Sequence, residues 1–237
     1  MRTSSSDRVA LYLVMSIFVT LLLYYVVPYG RTIAYPLVLL SMLAHELGHG
    51  IAAVVFGGDF VRFVLYDNGA GVAMTRSSTT VQRAMILAGG LLGPAFVAAL
   101  GFRLGRKPAR AKATLLITGI CLVLVCIWVV RNVFGFVFVA LTAFAFILIA
   151  RRASAAVCQF TTLFVATQLA LSVFSRADYL FTPSAEIGGG KKMPSDVGQL
   201  SDLLFLPYWF WGIVCGALSL FVLMWGLKTA LPAVKKS

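Results

Sequence analysis

The only two histidines of the 237-residue chain stand four positions apart, as His45 and His49. Residues four apart on a helix are surface neighbours about 5–6 Å from each other, so both imidazoles can reach one metal ion. Neutral imidazole is a favoured ligand of zinc. Glu46 directly follows His45, where it can address a metal-bound water without being a ligand. The spacing therefore predicts a zinc site in which Glu46 accepts a proton from that water and later delivers it to a leaving amine.

A catalytic zinc site needs a third protein ligand and one open position. Neither a cysteine nor another glutamate is an obvious candidate, so we expect an aspartate, and Asp178, Asp196 and Asp202 remain as possibilities. Asp196 stands in Pro194-Ser195-Asp196, a sequence typical of the start of a helix, and it can also be interpreted as a helix cap. Asp202, six residues on, would lie about 240° around that helix and face away when Asp196 faces the metal.

The composition is that of a membrane protein. Apolar residues make up 60% of the chain and charged residues only 12%. A soluble domain could not bury so much apolar surface, so lipid must be the solvent for most of it. The length suits one integral membrane domain, residues 1–237, with six or seven transmembrane helices.

The apolar runs long enough to cross a bilayer define the predicted spans. They cover approximately residues 9–27, 33–56, 84–102, 113–130, 133–150, 155–174 and 207–227. The His-Glu motif lies inside the second span. Only Arg131-Asn132 separates the fourth span from the fifth, which predicts either a tight hairpin or one long bent element.

Two connections between spans are long. In residues 57–83, apolar and polar residues alternate on the way to Asp67-Asn68-Gly69, and an Asn-Gly pair in such a setting predicts a β-hairpin. Residues 175–206 are polar and include the flexible run Gly188-Gly189-Gly190. The predicted fold class is therefore an all-α polytopic membrane protein with a small β-hairpin after the second helix.

The formal net charge is +12, and the twenty Lys and Arg residues stand mostly in short gaps between apolar runs. Such placement is typical of topology signals and of contact with anionic head groups, and the five cations within residues 103–112 favour a cytoplasmic loop there. No basic helix or aromatic-interleaved patch predicts nucleic-acid binding. None of the four cysteines forms a CxxC pair, so we expect no thiolate metal site.

Motifs distributed over nearly the whole chain carry a family resemblance. They are Ala44-His45-Glu46-Leu47-Gly48-His49-Gly50 followed by Gly57-Gly58, Leu92-Gly93-Pro94, Arg131-Asn132-Val133-Phe134-Gly135, and the late stretch from Ser195 to Trp211. On these motifs the chain resembles intramembrane metallopeptidases of the site-2 protease type, and more closely a compact bacterial-like subgroup. Only the His-Glu motif is highly specific.

The resemblance implies hydrolysis of peptide bonds in or near the bilayer, with a membrane protein as substrate and Zn²⁺ as cofactor. It implies that His45 and His49 are ligands and that Glu46 is the base. By position in the subgroup's pattern Asp196 is the third ligand, with Asp178 in reserve. Better-known relatives place this aspartate in Asn-Pro-x-x-Asp-Gly or Leu-Asp-Gly, neither of which occurs here.

Small residues and the hairpin suggest how the site is assembled. Gly89 and Gly93 predict a close approach of the third span to the motif helix. Gly212 and Gly216 form a similar face of small residues on the last span, which could bring Asp196 toward the histidines. Hairpin residues such as Asn68 could present a strand edge to an unwound substrate.

Two other functions stay open, namely a membrane protein that holds zinc without cutting and an inactive protease-derived scaffold. Glu46 discriminates among them, because a site that only holds metal does not need it.

Overall fold

The computed structural model describes residues 5–175, 177–187 and 191–231. Within these ranges the helices are α1 (Ser5–Tyr25), α2 (Gly30–Ile33), α3 (Tyr35–Val55), α4 (Thr80–Gly105), α5 (Pro108–Trp128), α6 (Val133–Arg152), α7 (Ala155–Ser175), α8 (Asp196–Leu204) and α9 (Tyr208–Ala230). The strands are β1 (Asp59–Leu65), β2 (Gly71–Arg76), β3 (Ser184–Ile187) and β4 (Lys191–Pro194), and a 3-10 turn covers Ala177–Phe181.

Seven of the described helices are long and apolar enough to cross a bilayer: α1, α3, α4, α5, α6, α7 and α9. Large apolar side chains along them, such as Phe18, Phe144 and Phe221, are exposed, as expected for residues that face lipid. The chain is an integral multi-pass membrane protein, and the predicted fold class is confirmed.

Helix α4 extends beyond its predicted span because polar residues cap its start. Helix α4 begins at Thr80 instead of residue 84 because Thr79 and Gln82 form a capping box. The Thr79 hydroxyl accepts a hydrogen bond from the Gln82 amide at 3.2 Å, and the Gln82 side chain accepts one from the Thr79 amide at 3.3 Å. These bonds satisfy amide groups that a helix start leaves unpaired.

Helices α5 and α6 form an antiparallel hairpin, so the interpretation as one long bent element is wrong. A Cβ at Gly119 of α5 would meet Ile147 and Ala143 of α6, and further along Cys126 of α5 lies beside Phe136 of α6. Arg131 donates hydrogen bonds to the carbonyl oxygens of Ile127, Val130 and Trp128, which ends α5 and lets the chain reverse.

The predicted close approach of α4 to α3 is confirmed. A methyl group at Gly48 of α3 would overlap the carbonyl oxygen of Gly89 on α4, and one at Gly93 would overlap the carbonyl oxygen of Ala44. Only glycine lets the two backbones pack this closely. Helix α4 therefore lies directly against the helix that carries the histidines.

The predicted β-hairpin is also confirmed, with its turn at residues 66–70. Strands β1 and β2 pair antiparallel from Leu65↔Gly71 to Asp59↔Arg76. Gly69 has φ +84°, which glycine adopts without strain. The Asn68 side chain closes the turn by accepting a hydrogen bond from the Ala70 amide at 3.0 Å.

The connection between α5 and α6 forms backbone hydrogen bonds with the edge of β1 that faces away from β2. The Phe63 amide donates to the carbonyl oxygen of Val129 at 2.7 Å, and the Arg131 amide donates to the carbonyl oxygen of Phe63 at 3.0 Å. The Asn132 side chain continues this pairing with two hydrogen bonds to the backbone of Leu65, at 2.6 and 3.2 Å. A Cβ at Gly135 would meet Asn132, so the motif that begins at Arg131 is explained by how it anchors the hairpin.

The polar connection after α7 has more structure than the sequence predicts. It holds the 3-10 turn, the two-stranded hairpin β3–β4 and α8, whereas the Gly188–Gly190 run lies outside the described residues. Gly212 of α9 explains where this connection attaches, because a Cβ there would overlap the carbonyl oxygen of Leu180 in the 3-10 turn. The face of small residues expected on α9 therefore packs, at Gly212, against the 3-10 turn rather than against a neighbouring span.

Candidate metal centre

His45, His49 and Asp196 lie together, although they come from opposite ends of the sequence. Asp196 Oδ2 is 3.1 Å from His45 Nε2 and 3.3 Å from His49 Nε2, and the two Nε2 atoms are 3.2 Å apart. Of the titratable side chains that the structure describes, these three form a group that could hold a metal ion. Glu46, His49 and Asp196 are buried and His45 is half-buried.

The donor set and its dimensions fit zinc. Zinc favours imidazole nitrogen and carboxylate oxygen in tetrahedral geometry with bonds of about 2.0–2.2 Å, which sets the ligand atoms about 3.3–3.5 Å apart. The three distances of 3.1–3.3 Å are close to this spacing. Three protein ligands also leave a fourth position, as a catalytic site requires.

The imidazole of His49 is held in one orientation. Its Nδ1 lies 2.7 Å from the carbonyl oxygen of Ile86 on α4, so Nδ1 carries the proton and Nε2 is free to bind a metal. Gly90, also on α4, makes room for the ring, because a Cβ there would overlap the imidazole. Helix α4 therefore determines both the tautomer and the position of His49.

Asp196 is the first residue of α8, and Ser195 caps that helix. The Ser195 hydroxyl accepts a hydrogen bond from the Gly198 amide at 3.1 Å and donates one to the carbonyl oxygen of Thr182 at 2.5 Å. Val197 and Leu200 are buried against α4 and α9, with Leu87, Leu91 and Cys215. The cap thus belongs to Ser195, and packing of α8 directs Asp196 toward the histidines.

The histidines also determine the ionisation of Asp196. Burial would raise the pKa of its carboxyl. When no metal is bound and the histidines are protonated, the charge of His49 and the hydrogen bonds that both imidazoles then donate outweigh burial and hold that pKa well below its usual range. A carboxylate is the form that binds metal.

The other two aspartates lie outside the group. Asp178 is exposed on the 3-10 turn, and Asp202 is exposed on α8. Of the three aspartates left open by the sequence, the structure brings only Asp196 to both imidazoles.

The carboxylate of Glu46 lies next to the group without being part of it. Its Oε2 accepts a hydrogen bond of 2.6 Å from the Ala73 amide of β2. Gly71 provides space at the same place, because a Cβ there would meet the Glu46 side chain. The hairpin therefore fixes the orientation of Glu46, just as α4 fixes that of His49.

The bond to Glu46 shows which edge of the hairpin faces the site. Phe63 uses its amide and carbonyl toward Val129 and Arg131, so these groups point away from β2. Its antiparallel partner Ala73 must likewise point its amide and carbonyl away from β1. The outer edge of β2 therefore lies along the candidate site.

Two cavities meet at the site. One of about 280 Å³ is lined by the hairpin turn, α3, α7 and Glu186. The other, of about 410 Å³, follows β2 from Gly71 to Thr75 and is bounded by Met193 and Arg83. Both are lined by His45, Glu46 and Tyr179, so the site is accessible from two directions along the β2 edge.

Some residues of the site carry no signal in the sequence. Tyr179 donates a hydrogen bond to Asp196, but no periodicity or motif distinguishes it. Ile86 and Ala73 act through backbone atoms, which any residue has. Gly90 is the exception, because the doublet Gly89-Gly90 inside an apolar span indicates a close approach of another group.

Comparison with known proteins agrees with this arrangement. Residues 10–226 match the protein family described as Peptidase M50B-like. No curated protein and no solved structure matches the chain. The match covers both the His-Glu motif and Asp196, and nearly the whole chain. The protein is therefore a member of the Peptidase M50B-like family, a membrane-embedded peptidase family of the site-2 protease type.

Proposed function

We propose that this protein is an intramembrane zinc endopeptidase that hydrolyses peptide bonds of membrane-embedded or membrane-proximal proteins. The observation that carries the proposal is the triangle of His45 Nε2, His49 Nε2 and Asp196 Oδ2, with sides of 3.1–3.3 Å. Membership of a peptidase family supports the hydrolytic activity.

In this proposal the three side chains are the zinc ligands. A zinc ion bound there would polarise the scissile carbonyl and lower the pKa of water toward 7. Glu46 is the general base, because it directly follows the ligand His45 in α3. Its carboxylate is buried, and the hydrogen bond from the Ala73 amide orients it. It accepts a proton from the attacking water and transfers it to the amine that leaves when the C–N bond breaks.

The substrate binds in extended form along the outer edge of β2. Hydrolysis needs an accessible carbonyl, whereas a helix keeps its carbonyls in internal hydrogen bonds. Ala73 points its carbonyl toward this edge, and Gly71 does the same because its partner Leu65 is turned toward Asn132. An added strand would gain hydrogen bonds from these groups and pass from one cavity to the other beside Glu46.

The test of the proposal compares wild type with Glu46→Gln in the purified full-length protein. Each is incubated in liposomes with a set of single-pass model membrane proteins, and new N-termini are identified by mass spectrometry. We expect cleavage by wild type, a loss of about 10²–10⁴-fold in Glu46→Gln, and equal zinc content in both. If metal analysis finds no zinc in carefully prepared wild type, the proposed zinc mechanism is wrong.

The same comparison separates the alternatives. A membrane protein that only holds zinc would bind the metal in both forms and yield no cleavage that depends on Glu46. An inactive scaffold would give neither cleavage nor a need for the metal. The position of Glu46 favours the peptidase, because the hairpin holds a buried carboxylate beside the ligands without using it as a ligand.

A further inference from the structure

Tyr179 connects the aspartate of the candidate centre with one of its histidines. Its hydroxyl donates a hydrogen bond to Asp196 Oδ2 at 3.3 Å and accepts one from the Asp196 amide at 3.4 Å. Its ring packs edge-on against the imidazole of His45, with centroids 5.8 Å apart and planes at 87°. The oxygen that Tyr179 contacts is the one that faces both imidazoles.

The 3-10 turn that carries Tyr179 is itself fixed in place. The backbone of Leu180 lies against Gly212 of α9, where a Cβ would overlap its carbonyl oxygen. The hydroxyl of Thr182 donates to the carbonyl oxygen of Asp178 at 2.8 Å and so closes the turn around Tyr179. The side chain is therefore held between α9 on one side and the candidate ligands on the other.

Metal ligands generally require a second contact to fix their orientation. His49 has such a contact in the carbonyl oxygen of Ile86. Asp196 needs one as well, because rotation of a carboxylate about its last torsion is only weakly restricted. Tyr179 supplies this contact to Asp196 through its hydroxyl and limits rotation of the His45 ring through its own ring.

We propose that Tyr179 is a positioning residue that sets the Asp196 carboxylate and the His45 imidazole in the arrangement that binds zinc. The inference rests on the proposed function and adds a residue to it. Tyr179 acts through the ligands, and its effect is therefore on metal affinity and coordination geometry first and on cleavage as a consequence.

The test uses the full-length protein with Tyr179→Phe, which removes the hydroxyl and keeps the ring. Zinc affinity is measured by competition with a chromophoric chelator, and coordination geometry by the visible absorption of the cobalt-substituted protein. We expect the zinc dissociation constant to rise about 10- to 100-fold, as for other changes next to metal ligands, and the cobalt spectrum to change. Tyr179→Leu, which also removes the ring next to His45, should bind zinc more weakly still.

Tyr208→Phe is the matched control, because Tyr208 is half-buried and lines a cavity away from the centre. It should keep the affinity and spectrum of wild type. Zinc affinity and cobalt spectrum in Tyr179→Phe equal to those of wild type would overturn the inference while leaving the proposed function intact. Failure of wild type to bind either metal would overturn both.

Discussion

His45, Glu46 and His49 lie within about one turn of α3, whereas Asp196 comes from a connection built of a 3-10 turn, a two-stranded hairpin and the nine-residue helix α8. The first group is fixed by regular helix geometry and by close packing on α4 through Gly48 and Gly89. The second depends on contacts made by short elements. Local helix geometry therefore places one half of the site, whereas tertiary contacts of short elements place the other half.

The largest expected effect is the loss of a ligand from the second half. Asp196→Ala should weaken zinc binding by more than about 100-fold, because it removes a ligand and not only a neighbour of one. Asp202→Ala and Asp178→Ala should leave the affinity unchanged, since both carboxylates are exposed and outside the group. Chelator competition on the three variants measures this. If Asp196→Ala keeps the zinc affinity of wild type, or if Asp178→Ala loses it, the assignment of Asp196 as a ligand is wrong.

The sequence predicts the first half almost completely for a physical reason. Two histidines four apart share a helix face whatever surrounds the helix, and the burial of that helix follows from its apolar composition. The Asn-Gly turn of β1–β2 is equally local, and it is confirmed. What sequence could not predict is that Ala73 would hold Glu46, because that bond uses a backbone amide brought in by tertiary packing.

The second half is predictable only in outline. Pro194-Ser195-Asp196 indicates a helix start, which is what the structure has. The direction of Asp196 depends on Val197 and Leu200 packing against α4 and α9, and no local pattern determines those contacts. The strands β3 and β4 lack an alternation as clear as that of β1–β2. Short polar segments are therefore the part of the fold that sequence leaves open.

Removal of the metal should change the rate of amide hydrogen exchange differently in the two halves of the site. With zinc at 100 times its dissociation constant, binding stabilises the site by about 2.7 kcal/mol. Chelation should therefore raise exchange by up to about 100-fold in residues 177–187 and 191–204, where the elements are short. Amides of α3 should change little, because their hydrogen bonds lie within a long helix. The exchange is measured by mass spectrometry. If chelation raises the exchange rates of α3 and α8 amides equally, the two halves do not differ in how they depend on the metal.

A smaller effect is expected from the anchor of the first hairpin. Asn132→Leu leaves the amide and carbonyl of Leu65 without their partner, at a cost of about 1–3 kcal/mol, and should loosen β1–β2 and hence the bond from Ala73 to Glu46. Cleavage should fall about tenfold, which corresponds to about 1.4 kcal/mol, with zinc affinity unchanged, because the hydrogen bond from β2 goes to Glu46, which is not a proposed ligand.

Thr142→Val, on the helix that Asn132 precedes, is the control, since the Thr142 hydroxyl donates within α6 to the carbonyl oxygen of Phe138. It should cleave like wild type. If Asn132→Leu loses zinc as readily as it loses cleavage, then the hairpin supports the ligands as well, and Glu46 is not positioned independently of them.

The smallest expected effect comes from two glycines on α9 that lie one turn apart. A methyl group at Gly212 would overlap the carbonyl oxygen of Leu180, whereas one at Gly216 would only touch the tip of the Leu180 side chain at 3.5 Å. Gly212→Ala should therefore displace the 3-10 turn and Tyr179 with it, and a strain of about 1 kcal/mol corresponds to a zinc affinity about fivefold lower. Gly216→Ala should match wild type. Chelator competition on the pair distinguishes a specific displacement of the turn from general disturbance of α9, because both substitutions add the same methyl group to the same helix. Equal affinities in the two variants would mean that the second half of the site does not depend on how the 3-10 turn is seated.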